Sequence, residues 1–251
     1  MFKASPFKLR MYEVCPQQYK FTYLDQLAAD YRRPKPYLTM GAHVHYTLKD
    51  FYERLEPTQR TWPALEQLLR QRWRENRRGF KDASDEQRWG MKALQMLKLF
   101  ILKNDVTTTP AMLEDYYDML LTDQLKVLGR IDRVDHDAAG LHVIDYKTGQ
   151  FDEAEVSDLQ LITYAMIVHA RTHQPVYRAS YLFLATNQWY SIDVTEDLYQ
   201  AAADEILERV EKIIQDNSFQ PTPNRYCRHC DFIDICPRSA EIKTKLTNHE
   251  F

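Results

Sequence analysis

Only six glycines and eleven prolines occur among the 251 residues, and there is no low-complexity tract and no repeat at solenoid or propeller spacing. Collagen-like, disordered and repeat architectures are thereby set aside, and compact globular material is expected. No apolar run approaches the ~20 residues that would span a bilayer. The opening MFKASPFKLRMYEV lacks the apolar stretch of a signal peptide, so no membrane partner and a cytoplasmic location are expected. Charge of one sign is also lacking. A net charge of -3 speaks against a surface that clings to phosphate everywhere, yet permits a local basic groove beside an acidic site. No Walker-type phosphate loop is present, so any unwinding of a duplex would need another protein. The length suits one sizeable core with a helical elaboration.

Apolar spacing and capping residues divide the chain into elements. Ser5-Pro6 reads as a helix start leading towards Cys15, because serine caps free amides and proline is tolerated at the first helical position. Helical spacing recurs from Thr39 to about Leu55, placing His45 on a helix, and again over Pro63 to Arg78 and Ser84 to Asn104. Between Glu114 and Lys147 the pattern changes to three strands, YYDMLL, KVLGRIDRVD and LHVIDYK. The last two are joined by a turn through Asp137-Ala138-Ala139-Gly140. Ser157 is placed to cap a helix from Asp158 to Ala170, and VYRASYLFLA and WYSIDV form a second hairpin around Thr186-Asn187. A long helix, Glu196 to Gln215, precedes the cysteine-rich tail.

Side chains alternate faces along a strand, so in Ile144-Asp145-Tyr146-Lys147 the carboxylate and the ammonium share one face. Hairpin pairing would set Asp132, in the preceding strand, beside Asp145. Two carboxylates ~4 Å apart repel by about 4 kcal/mol at an effective dielectric near 20, a cost that a divalent cation turns into attraction. Such a pair suits Mg2+ or Mn2+, and a neighbouring lysine suits the developing charge of a phosphoryl displacement. Alone, Asp-x-Lys is better explained by solvated strand residues. What adds weight is the order: His45 on an upstream helix, then G-R-I-D-R-V-D, then I-D-Y-K-T-G, then Gln160 and Tyr164 one helical turn apart.

In that order the chain resembles the PD-(D/E)XK nuclease superfamily, in particular its RecB-like and AddB-like exonuclease branch, related to CRISPR-adaptation nucleases. The serine-initiated helix leading to Cys15-Pro16 and the aromatics up to Tyr23 match the branch's opening, and Gly41-Ala42-His43-Val44-His45 matches its G-x-x-x-H helix. The resemblance implies a restriction-endonuclease-like α/β core, with a mixed central sheet flanked by helices. It further implies a single nuclease domain over 1-251, a helical insertion at 56-110, and a cluster-binding region of residue 15 plus 225-237. It implies metal ligands at His45, Asp132, Asp145 and the Tyr146 carbonyl, catalysis by Asp132, Asp145 and Lys147, and support from the Gln160 and Tyr164 of Q-x-x-x-Y. His43 reads as a packing residue. Where the branch often carries an acid four residues after its histidine, this chain has Lys49, followed by Asp50. The implied activity is metal-dependent hydrolysis of DNA, at single-stranded ends, in repair, recombination or mobile-element defence. A helicase or a CRISPR integrase is the implied partner. The alternatives are spacer trimming in CRISPR adaptation and a non-catalytic DNA-binding subunit of a helicase-nuclease complex.

All four cysteines fall into one pattern, Cys15 and then Cys227-x2-Cys230-x5-Cys236. Under reducing conditions this clustering favours metal over disulfides. Spacing alone leaves zinc and a 4Fe-4S cluster tied; the resemblance favours 4Fe-4S, as a staple worth on the order of 5 kcal/mol in loop entropy by analogy with crosslinks. Finally, Arg70-Gln71-Arg72-Trp73-Arg74-Glu75-Asn76-Arg77-Arg78 mixes cations with an indole. It suits phosphate contacts and base stacking as well as it suits a solvated helix face.

Overall fold

A computed structural model describes residues 1-153 and 156-250, which form two compact units, residues 1-3 with 34-202 and residues 4-33 with 203-250. The chain begins with a short strand β1 (Phe2–Ala4) and helix α1 (Pro6–Val14), followed by α2 (Pro16–Tyr19) and α3 (Ala28–Tyr31). Three longer helices come next: α4 (Pro36–Arg54), α5 (Trp62–Glu75) and α6 (Ala83–Lys103). Strands β2 (Met112–Thr122), β3 (Leu125–Asp137) and β4 (Gly140–Lys147) precede α7 (Asp158–Thr172). The hairpin β5 (Val176–Phe183) and β6 (Gln188–Asp193), then α8 (Glu196–Gln215) and α9 (Ser239–Thr247), complete the chain.

The larger unit is a mixed α/β structure around one sheet. β2 pairs antiparallel with β3 along its length, β3 antiparallel with β4, β4 parallel with β5, and β5 antiparallel with β6; β1 also pairs with β3. The parallel step requires a crossover, and α7 supplies it. Ser157 caps that helix by accepting a hydrogen bond from the Gln160 amide, and His173 in the left-handed region ends it. The turn between β3 and β4 needs Gly140 at φ 133°, where a Cβ would lie 2.5 Å from the Pro175 carbonyl oxygen.

The core is built from α4, whose Met40, Val44, Leu48 and Phe51 form one buried stripe. Against it pack Leu65 and Leu69 of α5, Ala93, Leu97 and Phe100 of α6, and Ile144, Tyr146 and Leu182 of the sheet. The helices of 56-110 therefore share their apolar surface with the sheet.

Several boundaries differ from the sequence expectation. α4 starts at Pro36 instead of Thr39, because proline occupies its first turn at no cost. α5 stops at Glu75 instead of Arg78: Asn76 is extended and its side chain accepts from the Arg78 amide, a local bond that competes with helix. β2 begins at Met112, ahead of YYDMLL, and this extension brings Glu114 into the sheet.

The smaller unit holds α1 to α3, most of α8 and the tail. Ser5 caps α1 through the Lys8 amide. Tyr12, Tyr19 and Phe219 pack edge-to-face and stacked, and Arg209 bridges Glu13 and Glu205.

Candidate metal centre

Cross-strand register assembles the site. Arg133 lies opposite Ile144, so the next step along β3 and β4 faces Asp132 with Asp145. On the other side of β3, Leu113 lies opposite Arg133 and Asp115 opposite Ile131, which puts Glu114 across from Asp132. Directly opposed residues share a face. Three adjacent strands therefore present Glu114, Asp132 and Asp145 in one row, all buried.

His45 approaches the row from α4. Its Nδ1 lies 3.0 Å from Asp132 Oδ1, and the Tyr146 amide donates to Asp132 Oδ2 at 2.7 Å. Lys147 Nζ is 2.8 Å from Asp145 Oδ2. Gln160 of α7 donates through Nε2 to Asp145 Oδ1 (3.2 Å) and to the Tyr164 hydroxyl (3.0 Å), while its Oε1 accepts from Tyr181. Tyr164 reaches this position because β3 carries Gly129 beneath it: a Cβ there would stand 2.9 Å from the tyrosine ring and 3.0 Å from Ile167 Cδ1. The Tyr146 side chain points elsewhere, into the core, with its ring edge-on to Phe100 and its hydroxyl near Arg133.

The electrostatics describe a site short of positive charge. Burial pushes the Glu114 carboxyl above the usual range, with Asp132 adding to the effect while His45 and Arg130 oppose it. Burial raises Asp145 too, against the pull of Lys147. Burial alone would depress His45, but the carboxylate of Asp132, its hydrogen bond, and the charges of Glu114 and Asp145 outweigh it and hold the imidazole up at about 9. Arg130 stands beside Glu114 as an ion-pair partner. Even so, both Glu114 oxygens and Asp145 Oδ2 receive no aligned hydrogen bond, and buried acceptors left this way are costly.

Among the described residues, His45, Glu114 and Asp132 are the group whose ligand atoms lie within 4.8 Å of one another. Two carboxylates and one imidazole make a donor set rich in hard oxygen and suited to a divalent ion. Glu114 was missed in the sequence because it precedes the strand read there and no motif marks it; only its register identifies it.

Other residues singled out in the sequence have different surroundings. His43 is buried, with Nε2 2.7 Å from the Asn76 carbonyl oxygen and its ring 5.0 Å from Trp73. Asp50 is held by both arms of Arg72 and by Arg54, and Lys49 donates to the Glu114 carbonyl. In the arginine-rich stretch, Arg70 pairs with Glu66, Arg72 with Asp50 and Glu75, and Arg77 with Glu86, which also takes the Trp73 indole N–H. These cations neutralise neighbouring carboxylates, and Trp73 is stacked on Phe80, so the stretch reads as packed and paired surface.

In the smaller unit the four cysteines are free thiols that line one small pocket with Phe21, Phe232 and Ile242. Burial, then the neighbouring thiols, raise Cys227, and Cys230 is pushed up to about 11. No three of the four sulfurs lie within 4.8 Å of one another.

A family profile for the PD-(D/E)XK nuclease superfamily matches residues 3–237, and the chain belongs to that superfamily. Its nucleases use divalent metals to cleave DNA, which accords with the His45, Glu114 and Asp132 group. The solved structure of SSO0001 is similar at 15% identity and a TM-score of 0.43, over 94% of this chain and 86% of that one. No curated protein gives a significant match. No helix among the described residues is long and apolar enough to cross a membrane.

Proposed function

We propose that this protein is a cytoplasmic Mg2+- or Mn2+-dependent exonuclease that degrades single-stranded DNA from its ends, in repair, recombination or mobile-element defence. The observation that carries the reading is the row Glu114–Asp132–Asp145 with His45 at one side and Lys147 at the other. His45, Asp132, Asp145 and the Tyr146 carbonyl, with Glu114 added, would hold the metal. A divalent ion bound there lowers the pKa of attacking water and neutralises phosphate charge. Lys147, on the same face as Asp145, orients the water or meets the charge that develops on the phosphate. Gln160 fixes Asp145 and is itself fixed by Tyr164 and Tyr181, so the carboxylate keeps one orientation.

The cysteines carry a second part of the proposal. Cys15, Cys227, Cys230 and Cys236 share one pocket, and bound iron would favour the thiolates of Cys227 and Cys230 that burial now disfavours. We assign them a 4Fe-4S cluster that ties residue 15 to 225-237 as a structural staple.

The test is degradation of single-stranded DNA labelled separately at each end, with Mg2+ or Mn2+, by wild type and Lys147→Ala. Cleavage by wild type alone is expected, with the lost label giving the polarity. Equal inactivity of both folded proteins across metals and substrates would leave a DNA-binding subunit as the better reading.

A further inference from the structure

The nuclease reading leaves open how a strand is led to the metal. A cavity of about 1040 Å3 in the larger unit is lined by His45 and Arg130 of the site, and also by residues of α4 and α6 that have no part in the chemistry. On α6, Trp89, Lys92, Met96 and Leu99 line it, a spacing that puts them on one helix face. Tyr37, at the start of α4, is exposed there. Among the described residues no aspartate or glutamate lines this cavity, whereas Lys92 and Arg130 do.

The aromatic and basic groups are arranged for use. Lys92 Nζ rests 4.4 Å from the Trp89 ring centre, and Lys92 is exposed. Arg130 lies between the rings of Tyr46 and Tyr116, at 5.1 and 5.6 Å. Its guanidinium has five donors, so pairing with Glu114 leaves others for a phosphate. The loop after β4 supplies Thr148 and Gly149, and a Cβ at Gly149 would meet no atom within 4 Å, so bare backbone fronts the cavity where a phosphate could approach its amides.

We infer that this cavity is the bed for single-stranded DNA entering the site, with Trp89 and Tyr37 stacking bases and Lys92 and Arg130 contacting phosphates. The inference rests on the nuclease reading and names the residues that would give it a preference for single strands. A base stacked on an aromatic ring must offer a free face, which an unpaired base does and a base inside a duplex does not. With two cations and no carboxylate among the described lining residues, the path favours phosphate in a chain that is acidic overall.

The experiment measures binding in EDTA of a labelled 20-nucleotide single strand and of the same sequence as a duplex. Proteins compared are wild type, Trp89→Ala, Trp89→Phe, Lys92→Gln and, as a control on β6, Trp189→Ala. Wild type is expected to prefer the single strand. Trp89→Ala should weaken that binding about five- to a hundred-fold, Trp89→Phe less, and Trp189→Ala not at all, with duplex binding unchanged throughout. Lys92→Gln should make the salt dependence shallower by about 0.7 in the log–log slope. Thermal unfolding of each variant separates local loss from misfolding, and Trp89→Phe carries the test if the alanine variant is unfolded. Unchanged single-strand affinity in a folded Trp89 variant, or equal loss on single strand and duplex, would overturn the inference. Hydrolysis of the same strand in Mg2+ is scored separately. A wild type that binds with this selectivity but never cleaves removes the reaction and leaves the bed; a folded Trp89→Ala that cleaves with wild-type KM removes the bed and leaves the reaction.

Discussion

Glu114 on β2 stands across from Asp132 on β3, and their ligand atoms share a space within 4.8 Å with His45. Two carboxylates in that position repel unless something positive lies between them. Glu114→Gln removes one charge at nearly constant volume. The variant should melt at or above the wild-type temperature without metal, because a buried, poorly paired carboxylate is gone, yet bind Mn2+ about ten-fold or more weakly. Calorimetric titration and thermal unfolding check both halves; equal Mn2+ affinity in the two proteins would remove Glu114 from the ligand set.

Gly129→Ala tests the close approach of α7 to β3. The added methyl would meet the Tyr164 ring at 2.9 Å and Ile167 at 3.0 Å. Both groups are buried, so neither yields freely. A loss of about 1–3 kcal/mol in stability is expected. Nuclease activity should fall further than stability explains, since Tyr164 helps hold Gln160 on Asp145. Denaturant midpoints and turnover at one fraction folded measure the two effects.

His142 sets a pH dependence away from the metal. Burial holds its imidazole down at about 4, with Arg178 and Arg133 adding to the shift and Asp135 and Asp137 opposing it. The ring accepts or donates at Ser180 Oγ, 2.7 Å away. In the unfolded chain the group takes its proton near pH 6.5. Between about 6.5 and 4 the unfolded state therefore binds more protons, and stability falls as pH falls through that window, by up to about 3 kcal/mol. His142→Gln should flatten this part of the profile, read as the difference in urea midpoint between pH 7.5 and pH 4.5.

Removal of a single thiol should affect the proposed cluster without removing a residue of the catalytic row. Cys230→Ser is expected to abolish the visible absorption and the bound iron and sulfide of anaerobically purified protein. It should also lower thermal stability, while Lys147→Ala leaves the cluster signal unchanged. Stoichiometric zinc in colourless wild-type protein would instead assign the four cysteines to a single tetrahedral ion.

Much of the site was legible in the sequence because its signals are local. The alternation of Ile144-Asp145-Tyr146-Lys147 places Asp145 and Lys147 on one face whatever surrounds the strand. Ser157 capping α7 and Gln160 one turn before Tyr164 are likewise decided by neighbours within four residues. The helix that carries His45 and the two hairpins followed from apolar periodicity and turn residues for the same reason.

What tertiary structure alone decided is which distant residues meet. Glu114 became a ligand candidate through strand register, a relationship between segments that no periodicity within either one encodes. Arg70, Arg72 and Arg77 look like a nucleic-acid surface in the chain; Glu66 and Glu75 of α5 itself pair with Arg70 and Arg72 at helical spacing, but only helix packing brings Asp50 of α4 to Arg72 and Glu86 of α6 to Arg77. The same packing left Lys92 and Arg130 lining a cavity beside His45 that has no carboxylate among its described lining residues. Local sequence determined which elements form and which side chains share a face; helix packing and cross-strand pairing determined which distant charges pair and which line the cavity beside His45.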